Sequence, residues 1–164
     1  MTDVIDSILA GRRTDRIAEL RSEKPLLATQ MQDYYDSIFS PAADSAAEVS
    51  IGDRFLIAIR TASHTGSTAV SDWYAAAAKE SGVSAEEIAW ARDVGTPWHG
   101  QDRRAPMMRH VDLITSRPVD SSKDDIDALL TAGLSPAGIV IASQVVAYVS
   151  YQLRLIAALR AMGE

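Results

Sequence analysis

The chain has 164 residues, 47% apolar and 23% charged, the balance of one globular domain with a core of its own rather than of a disordered or fibrous segment. A net charge of −6 opposes attraction to phosphate backbones and anionic lipid, so neither nucleic acid nor membrane is an expected partner. Cysteine is absent, which removes disulfides, thiolate metal sites and C-x-x-C redox chemistry together.

Apolar residues recur at three- and four-residue spacing almost throughout, which predicts an all-α fold of about eight or nine helices in a single domain over 1–164, with N-terminal helices in 3–39 and a core from 50 to 162. The opening MTDVIDSILAGRR lacks a basic stretch ahead of its apolar residues, so no secretory signal is expected and the expected location is cytoplasmic. Asp3 to Ala10 reads as a short helix with Thr2 as N-cap and Gly11 as its stop, followed by a turn or two from Thr14 to Arg21. Pro25 fits the first turn of a helix reaching Phe39 and capped by Ser22, after which Pro41 to Ala47 reads as loop.

Ser50 caps the next predicted helix, which carries Phe55, Leu56, Ile59 and Ala62 and is ended or bent by Gly66. Ser67 to Ser81 is predicted as a further helix, its alanines at 75–78 suited to close approach of a neighbour, with Gly82 as the stop. Ser84 and Glu87 form a capping box for a short helix through Ala91, and DVGTPWHGQDRR then breaks the periodicity as a loop. Asp102 is the predicted cap of a helix running to Ser116, and Ser122 with Asp125 opens another that closes at Gly133. Ser135 and Pro136 open the last and longest helix, whose stripe of Ile139, Val146, Val149, Leu153 and Ile156 reads as a buried face. Gln144, Gln152 and Arg154 interrupt its apolar run, which argues against a bilayer span.

Residues 54–88, RFLIAIRTASHTGSTAVSDWYAAAAKESGVSAEEI, place an apolar helix, a glycine turn and a second helix in succession. This layout resembles the core of the alkylhydroperoxidase D-like and carboxymuconolactone decarboxylase superfamily, in which the second helix opens with C-x-x-C and a histidine follows four residues after the second cysteine. Ser67 and Val70 stand at the cysteine positions here and Tyr74 at the histidine. The resemblance runs on through the Ser84 to Ile88 cap, RAPMMRHVDLITSRP, and a closing helix similar to that of the peroxidase-related branch, with Gln144, Tyr148, Tyr151 and Arg154 in its Q-x-x-x-Y-x-x-Y-x-x-R pattern. It implies an alkylhydroperoxidase D-like fold and a homo-oligomer, as dimer, trimer or hexamer, with no cofactor.

Thiol peroxidase activity is expected to be absent. A cysteine with a pKa near ~8.5 can be lowered to a thiolate, whereas a serine hydroxyl cannot replace it and a tyrosine with a reference pKa near ~10 is a poor base at pH 7. Two functional expectations follow. One is a cysteine-less member that binds a small organic molecule and performs non-redox acid–base chemistry on it; the other is a catalytically silent subunit beside a cysteine-containing relative.

For the first, His64 is the expected base, with Ser67 and Tyr74 on one helical face as groups that orient a ligand. The bland alternative makes Ser67 a helix cap and His64 a turn residue favoured by the helix C-terminus. Trp73, Trp98, His99, Tyr148, Tyr151 and Arg154 are the expected binding residues. A Ser67, His64, Asp72 triad lacks the strand-turn-helix context of a hydrolase. His110 and Asp112 cannot face each other two residues apart on a helix, and histidines scattered at 64, 99 and 110 predict no metal site.

Overall fold

The computed structural model describes residues 3–98, 100 and 102–163. The protein is all-α: among the described residues there are ten α-helices, two short 3-10 turns and no strand. In chain order they are α1 Val4–Leu9, α2 Asp15–Ser22, α3 Pro25–Phe39, α4 Ala43–Glu48, α5 Ile51–His64, α6 Thr68–Glu80, α7 Ala85–Arg92, α8 Arg104–Ser116, α9 Lys123–Thr131 and α10 Pro136–Gly163.

Helix α5 is the axis of the fold. Asp53 through Ala62 are all buried, so this helix has no solvent face, and α3, α6, α7, α8 and α10 pack around it. The isoleucines at 57 and 59 and Leu56 lose all their exposed surface, each worth about 1.5–3 kcal/mol of apolar burial. Helix α6 lies along α5 through Val70, Tyr74, Ala75 and Ala78, where the small alanine side chains let the two backbones approach. Gly66, with φ of 70°, turns the chain between them at a dihedral that costs a side-chain-bearing residue about 1–2 kcal/mol.

Ser50, Ser84 and Ser122 cap α5, α7 and α9 as their spacing predicts, the last two in reciprocal capping boxes with Glu87 and Asp125. Ser135 Oγ likewise accepts from the Gly138 N–H at 3.0 Å at the start of α10.

Several boundaries differ from expectation. Thr2 lies outside the described residues, and Asp3 caps α1 by accepting from Asp6 N at 2.9 Å. The stop is Ala10 at φ of 40°, with Gly11 inside the 3-10 turn that follows. Ser22 does not cap α3; its hydroxyl donates to Glu19 O at 2.6 Å, and Pro25 at the first helical position needs no donor satisfied.

Most of the predicted 41–47 loop is instead α4, whose six residues are too few to hold by local propensity. Tertiary contact holds it. Arg54, 1% exposed, donates to Val49 O at 2.9 Å, Ile38 O at 2.6 Å and Ser45 O at 2.5 Å, so one guanidinium satisfies carbonyls in α3, in α4 and just after it.

Helix α10 is long and apolar enough by length and composition to cross a bilayer, and half of its most apolar stretch is buried in the protein. Its predicted stripe is the buried face: Ile139, Val146, Val149, Leu153 and Ile156 all point into the core.

Candidate functional site

Near the C-terminal end of α5, Arg60 and His64 lie one turn apart and converge on one carboxylate. Asp112 of α8 receives Arg60 Nε at 2.5 Å on Oδ1 and Nη2 at 2.7 Å on Oδ2, and His64 Nε2 lies 2.7 Å from the same Oδ1. The Arg60 side chain is 1% exposed, Asp112 29% and His64 17%, so the pairing runs from the core to the surface. With Nε2–H donated to the carboxylate, the neutral imidazole has its acceptor lone pair on Nδ1.

Arg60 also organises the loop after α7. Its Nη1 and Nη2 donate to Asp93 O and Thr96 O, both at 3.3 Å, and its guanidinium lies 4.7 Å from the centre of the Trp90 ring. Trp90 Nε1 in turn donates to Pro97 O at 3.1 Å. Trp98 meets Trp90 edge to face at 4.3 Å, and its Nε1 donates to Asp102 Oδ1 at 3.0 Å. A Cβ at position 100 would meet the Trp98 indole, so any larger residue there must displace that ring. A further bridge, Arg104 to Asp53 and Glu87 at 2.6 Å each, joins α8 to α5 and α7 below the loop.

These contacts shape an open cleft of about 410 Å³ between α5, α8 and the 93–98 loop. Trp98, Pro97, Val94 and Met108 supply apolar wall, while Asp112 and the exposed Arg109 supply charge. Such a mixture suits a small molecule with a hydrocarbon body and one polar end.

The expected site residues divide among separate places. Tyr74 is fully buried; its hydroxyl donates to Gln152 Oε1 at 2.5 Å, and its ring lies among Phe39, Phe55 and Trp73. Burial first, with Tyr148 and Tyr35 nearby, pushes the Tyr74 phenol well above 10, so it is no base near neutrality. Val70 is buried beside it, with no exposed surface. Trp73 packs edge-on against Tyr35 at 5.6 Å.

Ser67 is the N-cap residue of α6 without a side-chain cap bond, and it faces outward. It lines a groove of about 430 Å³ with Thr65, Thr115, Ser150, Arg154 and Arg160, and a smaller one of about 230 Å³ with Ser63, Ser71, Asp72 and Arg92. Asp72 pairs with Arg92 at 2.6 Å and His64 with Asp112, so no Ser67, His64, Asp72 triad assembles.

Tyr148, Tyr151 and Arg154 do not share a side. Each three-residue step drifts by about 60° around a helix. Tyr148 is buried, donating to Met31 O at 2.9 Å, whereas Tyr151 is 41% exposed and Arg154 lies in the Ser67 groove with its Nη1 on Ser150 O. His99 lies outside the described residues. His110 faces Ser143 Oγ at 3.1 Å, on the other side of α8 from Asp112, and no group of three metal-ligating side chains occurs among the described residues.

Arg60 is absent from the residues the sequence singles out, and Asp112 enters there only in a pair with His110 that helix geometry sets aside. The one signal that marks Arg60 is an arginine six positions after Arg54 in an otherwise apolar helix, since buried guanidinium groups demand partners. Comparison of the chain with protein-family models, with curated proteins and with solved structures finds no match.

Proposed function

We propose that this protein binds a small organic molecule bearing one carboxylate in the cleft between α5, α8 and the 93–98 loop, with the His64–Asp112 pair as its acid–base element. The observation that carries this reading is Asp112, whose carboxylate opens on a cleft walled by Trp98 and Met108 and is held there by Arg60 and by His64, which reaches the cleft through its bond to Asp112 rather than lining it. The apolar walls take the ligand's body by burial, and Arg109 is the charge that takes its carboxylate. The chemistry open to the pair is proton transfer, with the carboxylate fixing the tautomer of His64. The resemblance of residues 54–88 to the alkylhydroperoxidase D-like superfamily belongs to the same reading, with the binding function displaced from the thiol positions to the far side of α5.

A second reading has its own support. Val70 and Tyr74, at the thiol and histidine positions of the resemblance, lie in a filled core with Phe39 and Phe55, as expected of a catalytically silent subunit.

One experiment separates the two. A panel of benzoate, hydroxybenzoates and short 2-oxo acids is titrated while tryptophan fluorescence and ligand-observed NMR are followed. Saturable binding of at least one acid is expected, weakened about tenfold or more by Arg109→Ala, the worth of one charge-assisted hydrogen bond. If no probe binds at millimolar concentration, the ligand reading fails and the silent subunit stands.

A further inference from the structure

The groove of about 430 Å³ between the α5–α6 turn, the end of α8 and α10 shares no residue with the Trp98 cleft, and its charge is unlike that of the chain. The sequence carries 22 acidic against 16 basic residues, yet no carboxylate lines this groove. Both charged residues of α10, Arg154 and Arg160, do line it. Six positions set them about 9 Å apart along the helix, and the small, exposed Ala157 midway leaves the floor between them open. Neither guanidinium meets a carboxylate among the described residues; Arg154 Nη1 donates only to Ser150 O, at 2.8 Å. The neighbouring groove of about 230 Å³ differs, since it holds Asp72 already paired with Arg92.

A second observation comes from the opposite wall. Thr115 of α8 borders the groove, and its Oγ1 is buried with no hydrogen-bond partner among the described residues. A helical threonine ordinarily bonds back to the carbonyl one turn earlier, as Thr61 does to Ile57 O at 2.8 Å, so a buried hydroxyl left unpaired is a costly exception. Ser67, on the third side, opens α6 without using its hydroxyl as a cap, and the Ala69 and Val70 N–H groups of that first turn have no acceptor among the described residues.

We propose that this groove is a second binding site, for the phosphoryl group of a small phosphate monoester, with Arg154 and Arg160 as its charges and the Ser67 and Thr115 hydroxyls as its neutral donors. Donors on α6, α8 and α10 surround the space from three sides, which suits the tetrahedral oxygens of a phosphate better than a flat carboxylate. Guanidinium is the side chain whose fixed fork best matches those oxygens. Leu153 and Ile156 supply the apolar part of the lining and take the carbon of the ester. The site stands apart from the acid proposed for the Trp98 cleft, so either can fail without the other.

The test titrates the full chain with propyl phosphate and, separately, with inorganic phosphate at about pH 8, where both are dianions, followed by calorimetry and phosphorus NMR. Propyl phosphate is expected to bind saturably at millimolar concentration, about threefold tighter than inorganic phosphate because its carbons are covered. Arg154→Gln and Arg160→Gln should each weaken it about tenfold, the worth of one hydrogen bond to a charged group. Both side chains are exposed, so circular dichroism should not change. Arg117→Gln removes the same charge just past α8, outside the groove, and should leave the affinity as it is. Thr115→Val should weaken binding about threefold without lowering the melting temperature, since the hydroxyl it deletes has no partner to lose. No binding of either probe at about 10 mM, equal affinity for the two, or a loss in Arg117→Gln that matches Arg154→Gln would each overturn the proposal.

Discussion

Tyr74 donates its hydroxyl hydrogen to Gln152 Oε1 at 2.5 Å, joining α6 to α10 through the middle of the core. Both residues are fully buried, and Nε2 of the same amide has no partner among the described residues. Tyr74 is therefore a structural cross-tie between the two helices. Tyr74→Phe leaves the amide oxygen buried without its donor and is expected to cost about 1–3 kcal/mol in urea unfolding. Ligand affinity at the Trp98 cleft is expected to stay unchanged.

The same burial sets an alkaline limit. Desolvation raises the Tyr35 phenol to about 12 and lifts those of Tyr74 and Tyr148 as well. With folded values above the unfolded one near ~10, their contribution is complete below pH 10 and is lost as pH climbs beyond it, since the unfolded chain ionises first. Stability should be flat in this respect from pH 7 to 9 and then fall, by up to about 1.4 kcal/mol per pH unit for each tyrosine. Tyr74→Phe should shallow that slope.

Asp112 and His64 should separate cleanly by mutation. Asp112→Asn leaves the Arg60 guanidinium, 1% exposed, without its counter-charge, and is expected to cost about 3 kcal/mol or more. His64→Ala removes a half-buried partner from a carboxylate that keeps Arg60, and should cost under about 1 kcal/mol. Paired urea denaturation curves decide this. Equal losses would mean that His64 is structural and would weaken its assignment as the acid–base group.

Arg54→Met is expected to be among the most damaging single changes. It strips donors from three carbonyls in and around α3 and α4, each buried group costing about 1–3 kcal/mol when orphaned. Arg54→Lys should recover little, because an ammonium lacks the planar fork that reaches three directions at once. The readout is soluble yield together with thermal unfolding.

His110 supplies an acid limit. Desolvation lowers its pKa from the ordinary 6.5, with the Asp125 carboxylate across the helix pair offsetting part of the shift. The folded protein holds it neutral while the unfolded chain protonates, so stability is complete above about pH 6.5 and declines as pH falls through the folded value. Melting temperature should drop between pH 7 and 5, and His110→Gln should flatten that segment.

The all-α architecture was legible because helix periodicity, capping boxes and glycine stops are local signals that agree with one another. Ser84 with Glu87 and Ser122 with Asp125 close their boxes with side chains three residues apart. Helix α4 was not legible, since Arg54 holds it from nine residues away. The site was less readable still. His64 was visible as a residue, but its partner lies 48 positions on in sequence, and Arg60 meets Asp112 across 52. Tyr148, Tyr151 and Arg154 looked like one face because a spacing of three is near a helical turn, yet the accumulated rotation puts the first inside and the others outside.

The bond from Tyr148 to Met31 spans 117 positions, and α10 also rests against α1 and α2. The last helix is thus the wall that shuts the first three in. The α5–α6 hairpin can form early from neighbours in sequence, but docking α10 must close a very long loop before any contact rewards it. Refolding should then be slower than the helix content suggests, with the hairpin ordered while the N-terminal helices still wait for their last partner.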